Sequence, residues 1–351
     1  MKWEENVRKV VPYVAGEQPN RPNMIKLNTN ECPYPPAPGV RQAAENMESA
    51  SLRLYPNSNA QPLVDALAAY YHVKPEQVFV GVGSDDVLSM AFLTFFNSGK
   101  PILFPDVTYS FYDVWADLYR IPYRTCALDE NWHMNPEDYK QPNGGVIFPN
   151  PNAPTGIALP RAEIEGILKA NPNNVVIVDE AYVDFGGESC VPLIDNYENL
   201  LVVQTFSKSR QLAGARLGLA MGNAKLIADL NRVKFSLNPY NINRLTLKAG
   251  KAALEDTDYF DKTRAAIVET RGWTKQQLEA RGFAVLDSRS NFLFASTDRK
   301  DGGTLYKELK KNGILVRHFD APRIQNWLRI TIGTPEQMQT LMETLDKIME
   351  E

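Results

Sequence analysis

The chain has 351 residues, of which 44% are hydrophobic and 23% charged, and its 38 basic and 42 acidic side chains give a formal net charge of −4. A chain of this length and composition buries a large core, which excludes a disordered, collagenous or coiled-coil protein. Because the chain is mildly acidic, no overall basic field holds it on nucleic acid or an anionic membrane, and any bound anion must be met by local groups.

The N-terminal segment and the rare residue types narrow the class of protein further. MKWEENVRKVVPY mixes both charges and lacks the apolar stretch of a secretory signal, and no later window has the length and apolarity of a membrane span. Three cysteines and three histidines are scattered without ligand spacing, so we expect neither a disulfide framework nor a metal site. These features predict a cytoplasmic enzyme with no nucleic-acid or membrane partner.

Short apolar runs alternate with helix-like stretches through the middle of the chain. Several runs are continuously apolar, as strands buried on both faces of a sheet are. This pattern predicts an α/β fold with a mostly parallel sheet flanked by helices. The predicted strands cover residues 77–83, 100–105, 145–148, 174–179, 200–204 and 217–221, and the clearest helices cover 84–97 and 161–170.

The sequence pattern changes near Pro239. Residues 241–280 predict one long amphipathic helical stretch, and strands at 283–286, 291–295 and 328–332 with a helix at 303–312 follow it. The first thirty residues and the proline-rich segment 30–39 predict an extended arm and a turn, with neither a strand nor a long helix. We therefore predict three parts, which are an N-terminal arm at 1–29, a large domain at 30–240 and a smaller α+β domain at 241–351.

Two charged residues directly follow predicted central strands. The apolar run VIV places Asp179 at the carboxyl end of a strand, where α/β folds bind ligands, although a surface carboxylate beyond the strand is an equal alternative. Lys208, in TFSKSRQLAGARLG, is a solvated lysine if it is considered alone. In a closed site, however, desolvation and nearby cations lower the pKa of a lysine, which makes it a Schiff-base nucleophile and proton carrier.

Two further segments lie at predicted strand ends. FPNPNAPTG, residues 148–156, contains three prolines and predicts a rigid loop that aims Asn152 at the strand ends, unless it is only a turn. GVGSDDVLSMAF places Ser84 and Asp85 at the start of an apolar-periodic helix, whose free N–H groups suit a phosphate unless this is an ordinary capped helix. A dinucleotide fingerprint fails because Asp86 stands where its third glycine belongs.

In their order and spacing these motifs resemble the fold type I pyridoxal-phosphate aminotransferases over essentially the whole chain. The resemblance narrows to the histidinol-phosphate aminotransferases. It implies transamination of L-histidinol phosphate with 2-oxoglutarate in histidine biosynthesis, pyridoxal 5'-phosphate as the cofactor, and a homodimer. The motifs that narrow it are LNTNECPYPP, LRLYP, GVGSDDVL, PDVTYSFY, SLNPYNIN and GILVRHFDAPRIQNWLRITIG.

The same resemblance implies roles for residues around the cofactor. Asp179 would pair with the pyridine nitrogen, Tyr182 would reach the phenolic oxygen, and Lys208 would bind the aldehyde and then move the substrate proton. Tyr109 would stack on the ring. The full set of implied cofactor-binding residues is Ser84, Asp85, Tyr109, Asn152, Asp179, Tyr182, Ser207, Lys208 and Arg216, with Tyr55 supplied by a second subunit.

Substrate recognition is implied for the small domain and the arm. Arg329, inside the strand-like LRITIG, is the expected clamp for the carboxylate of the amino-acid or keto-acid partner. Arg317 is the favoured contact for the substrate phosphate, Arg323 lies in the same segment, and either arginine is otherwise a solvated surface charge. Tyr13 is expected to support Arg317, and Asn30 is also expected to contact substrate.

Two residues depart from the family pattern, and neither is Lys208, Asp179 or Arg216, to which the chemistry is assigned. Cys32 stands where the family usually has asparagine or a similar residue, and Ala153 stands where it usually has asparagine. An aromatic amino acid aminotransferase and a threonine-phosphate decarboxylase remain open on the same scaffold. The broken glycine fingerprint and the lack of a basic nucleic-acid module disfavour a nucleotide-binding dehydrogenase and a non-catalytic ligand-binding regulator.

Overall fold

The computed structural model describes residues 2–18 and 23–350. Strands and helices are numbered here in chain order. The strands are β1 (Ile25–Lys26), β2 (Val78–Gly81), β3 (Ile102–Pro105), β4 (Tyr123–Cys126), β5 (Val146–Pro149), β6 (Val176–Asp179), β7 (Leu200–Thr205), β8 (Gly218–Gly222), β9 (Ala284–Val285), β10 (Phe292–Ser296), β11 (Ile314–Leu315), β12 (Arg317–His318) and β13 (Trp327–Thr331). The α-helices are α1 (Pro38–Glu45), α2 (Gln61–Tyr71), α3 (Gly83–Phe95), α4 (Tyr112–Tyr119), α5 (Arg161–Ala170), α6 (Ala224–Leu237), α7 (Arg244–Glu255), α8 (Thr257–Ala280), α9 (Gly302–Lys311) and α10 (Pro335–Glu350).

The large domain is built on a seven-stranded sheet in the order β2-β8-β7-β6-β5-β3-β4. Strand β8 runs antiparallel to β2 and β7, and the other neighbours are parallel. Val178 packs in one core cluster with α2, α5 and α7, whereas Ile177 packs in another with α3, α4 and α6. Both faces of the sheet are therefore buried, which is why its strands are continuously apolar. The predicted α/β class is confirmed.

The small domain is a four-stranded antiparallel sheet in the order β12-β13-β10-β9, covered by α8, α9 and α10. The arm joins this domain because β1 pairs in parallel with β11, and Leu27 is buried in the small domain's apolar cluster. The prediction of an arm without strands therefore misses this two-residue pairing. No helix among residues 2–18 and 23–350 has the length and apolarity needed to cross a membrane.

The predicted single helical stretch over 241–280 is wrong, because two helices meet there at Asp256. This residue has φ −91° and ψ 74°, and its side chain accepts the N–H of Tyr259 at 3.2 Å, which caps α8. Ala253 and Leu254 of α7 pack in a core cluster of the large sheet, whereas α8 packs against β9 and β10 of the small domain. The three-part division of the chain stays a prediction, and α7, although it lies within 241–351, packs in the core of the large sheet.

Strand β4 is absent from the sequence-based prediction for a physical reason. It lies at the edge of the sheet, and the first three residues of YRTC are exposed. An exposed edge strand carries no continuous apolar run, so periodicity does not reveal it.

The first turn of α3 lies directly over the start of β8. A Cβ built on Gly218 would lie 2.3 Å from both the carbonyl carbon of Gly83 and the backbone nitrogen of Ser84. Gly83 has φ +80°, in the left-handed region that favours glycine. The two glycines therefore allow the helix to begin in contact with the strand, which fixes the position of its N-terminal N–H groups.

We expect Gly218→Ala to destabilise the chain by about 1–3 kcal/mol, because the added methyl group must push the start of α3 off the strand. Gly214→Ala is the matched control, since a Cβ there meets nothing within 4 Å, and its effect should stay within about 0.5 kcal/mol. Urea unfolding of both variants measures the difference. Equal losses in the two variants would contradict this account of the contact.

Candidate active site

The predicted site residues of the large domain meet at the carboxyl edge of the seven-stranded sheet. Asp179 is the last residue of β6, Asn152 follows β5, and Lys208 follows β7. Neighbouring parallel strands end at the same edge, so these side chains are brought to one place. The Lys208 Nζ lies 5.7 Å from the centre of the Tyr182 ring and donates to the backbone oxygen of Thr29 at 3.2 Å.

Asp179 is a buried carboxylate whose partners are neutral. Its Oδ2 accepts the Tyr112 hydroxyl at 3.0 Å, and its Oδ1 accepts the N–H of Ala181 at 3.2 Å. Burial raises the pKa of Asp179 to about 7, and these hydrogen bonds and the charge of Lys208 only partly oppose it. In the described part of the chain no lysine or arginine forms an ion pair with it. A cationic group placed against it would stabilise its charged form.

Donors for an anion converge at the start of α3. Arg216 lies against the backbone there, since a Cβ on Gly83 would lie 2.5 Å from its Nη2. Asp85 fixes this arrangement by accepting Arg216 Nη2 at 2.9 Å and the Tyr109 hydroxyl at 2.8 Å. Ser207, which is buried, places its hydroxyl after β7. The helix N-terminus, a guanidinium and a hydroxyl together form a site suited to phosphate.

Asn152 is held by the loop that follows β3. Its Nδ2 donates to the backbone oxygen of Val107 at 3.0 Å and to Thr155 Oγ1 at 3.1 Å. Its Oδ1 accepts the Thr108 hydroxyl at 3.1 Å. Because the amide is held from both ends, its orientation is fixed before any ligand binds.

Asn30, which directly follows the arm, connects the end of the arm to both domains. It is 1% exposed, has φ +57°, and donates through Nδ2 to the Tyr182 hydroxyl at 2.9 Å. Its Oδ1 accepts the Thr331 hydroxyl at 3.0 Å, and its backbone oxygen accepts Nδ2 of Asn291 at 3.0 Å. These contacts orient Tyr182, whose hydroxyl keeps its own proton for a further acceptor. A contact between Asn30 and substrate stays a prediction.

Arg329 is a cation held in apolar surroundings. Its guanidinium lies 5.4 Å from the centre of the Phe292 ring and 5.5 Å from that of Phe319, and its Nη2 donates to the backbone oxygen of Asn28 at 3.0 Å. Its Nε is buried and has no hydrogen-bond partner among the described residues. Burial lowers the pKa of Arg329, and the nearby charge of Arg317 lowers it further. An anion bound here would relieve both penalties.

Arg317 and the arm lie on the same side of the site. The Arg317 guanidinium is 5.4 Å from the centre of the Phe319 ring, and its Nη2 donates to the backbone oxygen of Val14 at 3.4 Å. Tyr13 stacks on Phe111 with the ring centres 4.0 Å apart. The structure thus brings Tyr13, Arg317 and Arg329 together beside the residues predicted to bind the cofactor.

Two predicted site residues point elsewhere in this chain. Tyr55 is 75% exposed, stacks on Tyr240 with ring centres 4.5 Å apart, and has its backbone oxygen bound by Arg244 Nη2 at 2.5 Å. Arg323 forms an ion pair with Asp106 of the large domain and faces the loop that follows β3. Its predicted role as a substrate contact has no support in this geometry.

Sequence reasoning missed Tyr112, which is fully buried and donates to Asp179. It lies in PDVTYSFY, a motif in which the family resemblance implies a role only for Tyr109. The pattern of the motif does not say which tyrosine reaches the end of β6, because that depends on how α4 packs. It also missed Asn291, whose amide binds the arm through Asn30.

These residues fit pyridoxal phosphate, the cofactor predicted from the sequence. Asp179 lacks a cationic partner among the described residues and would hold a protonated ring nitrogen. The donors around Arg216 suit the cofactor phosphate, and the Lys208 Nζ, 5.7 Å from the centre of the Tyr182 ring, suits its aldehyde. These phosphate donors need glycines beside them, because a Cβ on Gly83 would collide with Arg216 and a Cβ on Gly218 would collide with the backbone of Gly83 and Ser84.

Comparisons with known proteins agree with this geometry. The aminotransferase class I and II family model matches residues 22–345. The chain is 52% identical over 343 residues to histidinol-phosphate aminotransferase 1 of Pseudomonas aeruginosa, covering 98% of each chain. It is 50% identical over 349 residues to histidinol-phosphate aminotransferase of Lactococcus lactis subsp. cremoris, covering 99% of this chain and 98% of that one.

A solved structure shows the same fold at lower sequence identity. Histidinol-phosphate aminotransferase of Sinorhizobium meliloti, in complex with pyridoxal-5'-phosphate, matches with a TM-score of 0.84 at 22% identity. The match covers 93% of this chain and 91% of that chain. The fold type expected from the sequence is thereby confirmed.

The raised pKa of Asp179 predicts how pH affects the cofactor-free protein. The ordinary pKa is 3.8 and the folded value about 7, so the stabilisation from this group is complete below about pH 4 and is lost as the pH rises through 7. Asp179→Asn should therefore gain stability relative to the unmodified chain from about pH 5 to pH 7, on the order of 1 kcal/mol per pH unit. Urea titrations across this range measure the gain.

Asp301→Asn is the control for this titration. Asp301 caps α9 by accepting the N–H of Thr304 at 2.9 Å, and hydrogen bonds to Thr304 lower its pKa. It therefore titrates below the tested range, and the stability difference of this variant should not change with pH. A difference for Asp179→Asn that is equally constant would show that its carboxyl is not desolvated as described.

Proposed function

The chain belongs to the aminotransferase class I and II family, and we propose that it catalyses the histidinol-phosphate aminotransferase reaction. In this step of histidine biosynthesis, the amino group of L-histidinol phosphate is transferred to 2-oxoglutarate, which gives imidazole-acetol phosphate and glutamate. Pyridoxal 5'-phosphate is the cofactor. The observation that carries this proposal is that Arg317 and Arg329 share the Phe319 ring, at 5.4 and 5.5 Å from its centre. Two cations held together suit a substrate phosphate and a dicarboxylate in turn.

Each cofactor-facing residue has a separate task. When bound, pyridoxal phosphate supplies the electron sink for transamination. Asp179 would hold a proton at the ring nitrogen, and Tyr182, oriented by Asn30, would donate a hydrogen bond to the phenolic oxygen. Asn152 would reach the same oxygen by turning to it the N–H that now binds Thr155. Lys208 would hold the aldehyde of the cofactor and, as a free amine, would carry the proton of the substrate Cα as a general acid and base, which would contribute about 10²–10⁴-fold to the rate.

The substrate side of the site is formed by the small domain and the arm. Arg329 binds the carboxylate of glutamate or 2-oxoglutarate, and Arg317 binds the phosphate of the amino donor. Tyr13, stacked on Phe111, covers the site and excludes water from it. Excluding water strengthens every ionic contact inside the site. The relatives' shared name supports this assignment of substrate over a phenylalanine or threonine-phosphate substrate.

We also propose a homodimer in which Tyr55 reaches the cofactor phosphate of the partner subunit. Tyr55 lies in an exposed apolar patch, and such a patch marks an interaction surface. A two-fold dimer would bury the same patch of both subunits. We place the enzyme in the cytoplasm, where its three free cysteines remain reduced. The patch consists of Leu52, Leu54, Tyr55, Phe235, Leu237, Tyr240 and Leu245, which are 36–75% exposed.

A panel of amino donors tests the proposed substrate. Histidinol phosphate should be the preferred donor over phenylalanine and threonine phosphate, with keto-product formation as the measurement. Arg317→Ala should raise KM for histidinol phosphate about 10- to 100-fold, because it loses a hydrogen-bonded charge contact, while phenylalanine turnover changes little. Arg299→Ala is the control, since among the described residues the exposed Arg299 side chain hydrogen-bonds only the backbone oxygen of Met349. Equal losses for both donors would refute the phosphate contact.

Mixed dimers test whether Tyr55 acts across the interface. Lys208→Ala should abolish activity and the visible absorption of the bound cofactor, and Tyr55→Phe should weaken cofactor binding about 10-fold or more. In a mixed dimer of these two variants, the subunit that keeps Lys208 would receive Tyr55 from its partner, so one intact site should form. Absorbance titration and activity of purified mixed dimers measure it. No recovery above the parent variants would show that Tyr55 acts within its own subunit.

A further inference from the structure

The loop between β12 and β13, residues 319–326, joins the small domain to the large domain. Ile324 is 7% exposed and packs in an apolar cluster with Val107 and Leu128 of the large domain and with Phe294 of β10. This cluster is separate from the cores of the two sheets. The loop therefore has its own contact with the large domain, made next to the active site.

Arg323 makes polar contacts from this loop to the large domain. It forms an ion pair with Asp106, and its Nη2 donates to the backbone oxygens of Leu128 at 3.0 Å and Asp129 at 3.5 Å. Its guanidinium lies 5.1 Å from the centre of the Trp132 ring. A half-exposed ion pair alone contributes little, but one planar guanidinium that satisfies a carboxylate, two carbonyls and an aromatic ring fixes a geometry.

The large-domain end of this contact leads straight to the cofactor-binding residues. Asp106 begins the loop of residues 106–109, which we name the cofactor loop. Within it, the backbone oxygen of Val107 and the hydroxyl of Thr108 hold the two ends of the Asn152 amide. Tyr109, three residues after Asp106, is the residue assigned to stack on the cofactor ring. A shift of Asp106 would therefore move both the contacts that hold Asn152 and the ring of Tyr109.

The small-domain end leads to the substrate-binding arginines. Arg317 and Arg329 lie on β12 and β13, the two strands that the loop connects, and pair directly across the sheet. We infer that Arg323 is a positioning residue that fixes these arginines relative to the cofactor loop. It has no substrate contact of its own. The inference rests on the proposed function for the identity of the substrates.

The inference predicts a common effect on both substrates. Arg323→Met should raise KM for histidinol phosphate and for glutamate by a similar factor, about threefold to tenfold, because both need the same spacing. Succinate, an unreactive dicarboxylate, should lose affinity for the holoenzyme by the same factor in an absorbance titration. Asp106→Asn should raise both KM values by a similar factor. The double variant Asp106→Asn/Arg323→Met should have the same KM values as Arg323→Met, because both single substitutions remove the same interaction.

Arg281→Met is the matched control for stability. Arg281 binds Asp346 through two hydrogen bonds of 2.7 and 2.8 Å, but both residues lie within the small domain. This variant should lower the thermal unfolding temperature and leave both KM values unchanged. Arg323→Lys should recover part of the lost affinity, because it keeps the charge opposite Asp106 without the fork of donors.

The outcomes separate the alternatives. If Arg323→Met raises KM only for histidinol phosphate, Arg323 contacts the substrate phosphate and the inference is overturned. If its unfolding temperature falls and both KM values stay unchanged, as expected for Arg281→Met, its role is only structural and the inference is also overturned. If the unmodified chain does not use histidinol phosphate but Arg323→Met still weakens glutamate and succinate equally, the proposed function fails while the positioning role holds.

Discussion

Burial of the central sheet on both faces is the constraint from which the site follows. Side chains along β6 alternate between two cores, with Val178 in one and Ile177 in the other. No polar group can be placed along such a strand without losing its hydration. Chemistry is therefore confined to the strand ends, where Asp179 is the first carboxylate and the loops after β5 and β7 supply Asn152 and Lys208.

The distribution of charge follows from the same burial. The whole chain carries a net charge of −4, yet its site gathers Arg216, Arg317 and Arg329 around apolar rings and a helix N-terminus. Desolvating a guanidinium, as at Arg329, costs free energy that one hydrogen bond and two aromatic rings offset in part and that a bound anion would offset further. An anion bound beside Arg329 would relieve the desolvation of its guanidinium, and the net charge of the chain does not reveal this local arrangement.

The parts of this site that could be predicted from the sequence are those that a single strand determines. Asp179 and Lys208 follow apolar runs directly, so their place at the strand ends was predictable, and the α/β class came from the same runs. The hydrogen bond from Tyr112 to Asp179 was not, because it depends on the packing of α4 against the sheet. Arg323 was placed with the substrate for the same reason, since its sequence position beside Arg317 does not reveal that it faces Asp106.

The arm contacts both domains through long-range interactions that its sequence pattern does not predict. Near its end, β1 pairs with β11 of the small domain, while Tyr13 stacks on Phe111 at the start of α4 in the large domain. Asn30 adds a third connection, because it hydrogen-bonds Thr331 of the small domain and Tyr182 of the large domain at once. Asn30 thus couples the relative position of the two domains to Tyr182, the tyrosine proposed to face the cofactor. A segment with almost no secondary structure thereby sets the geometry of the site through side-chain contacts with both domains.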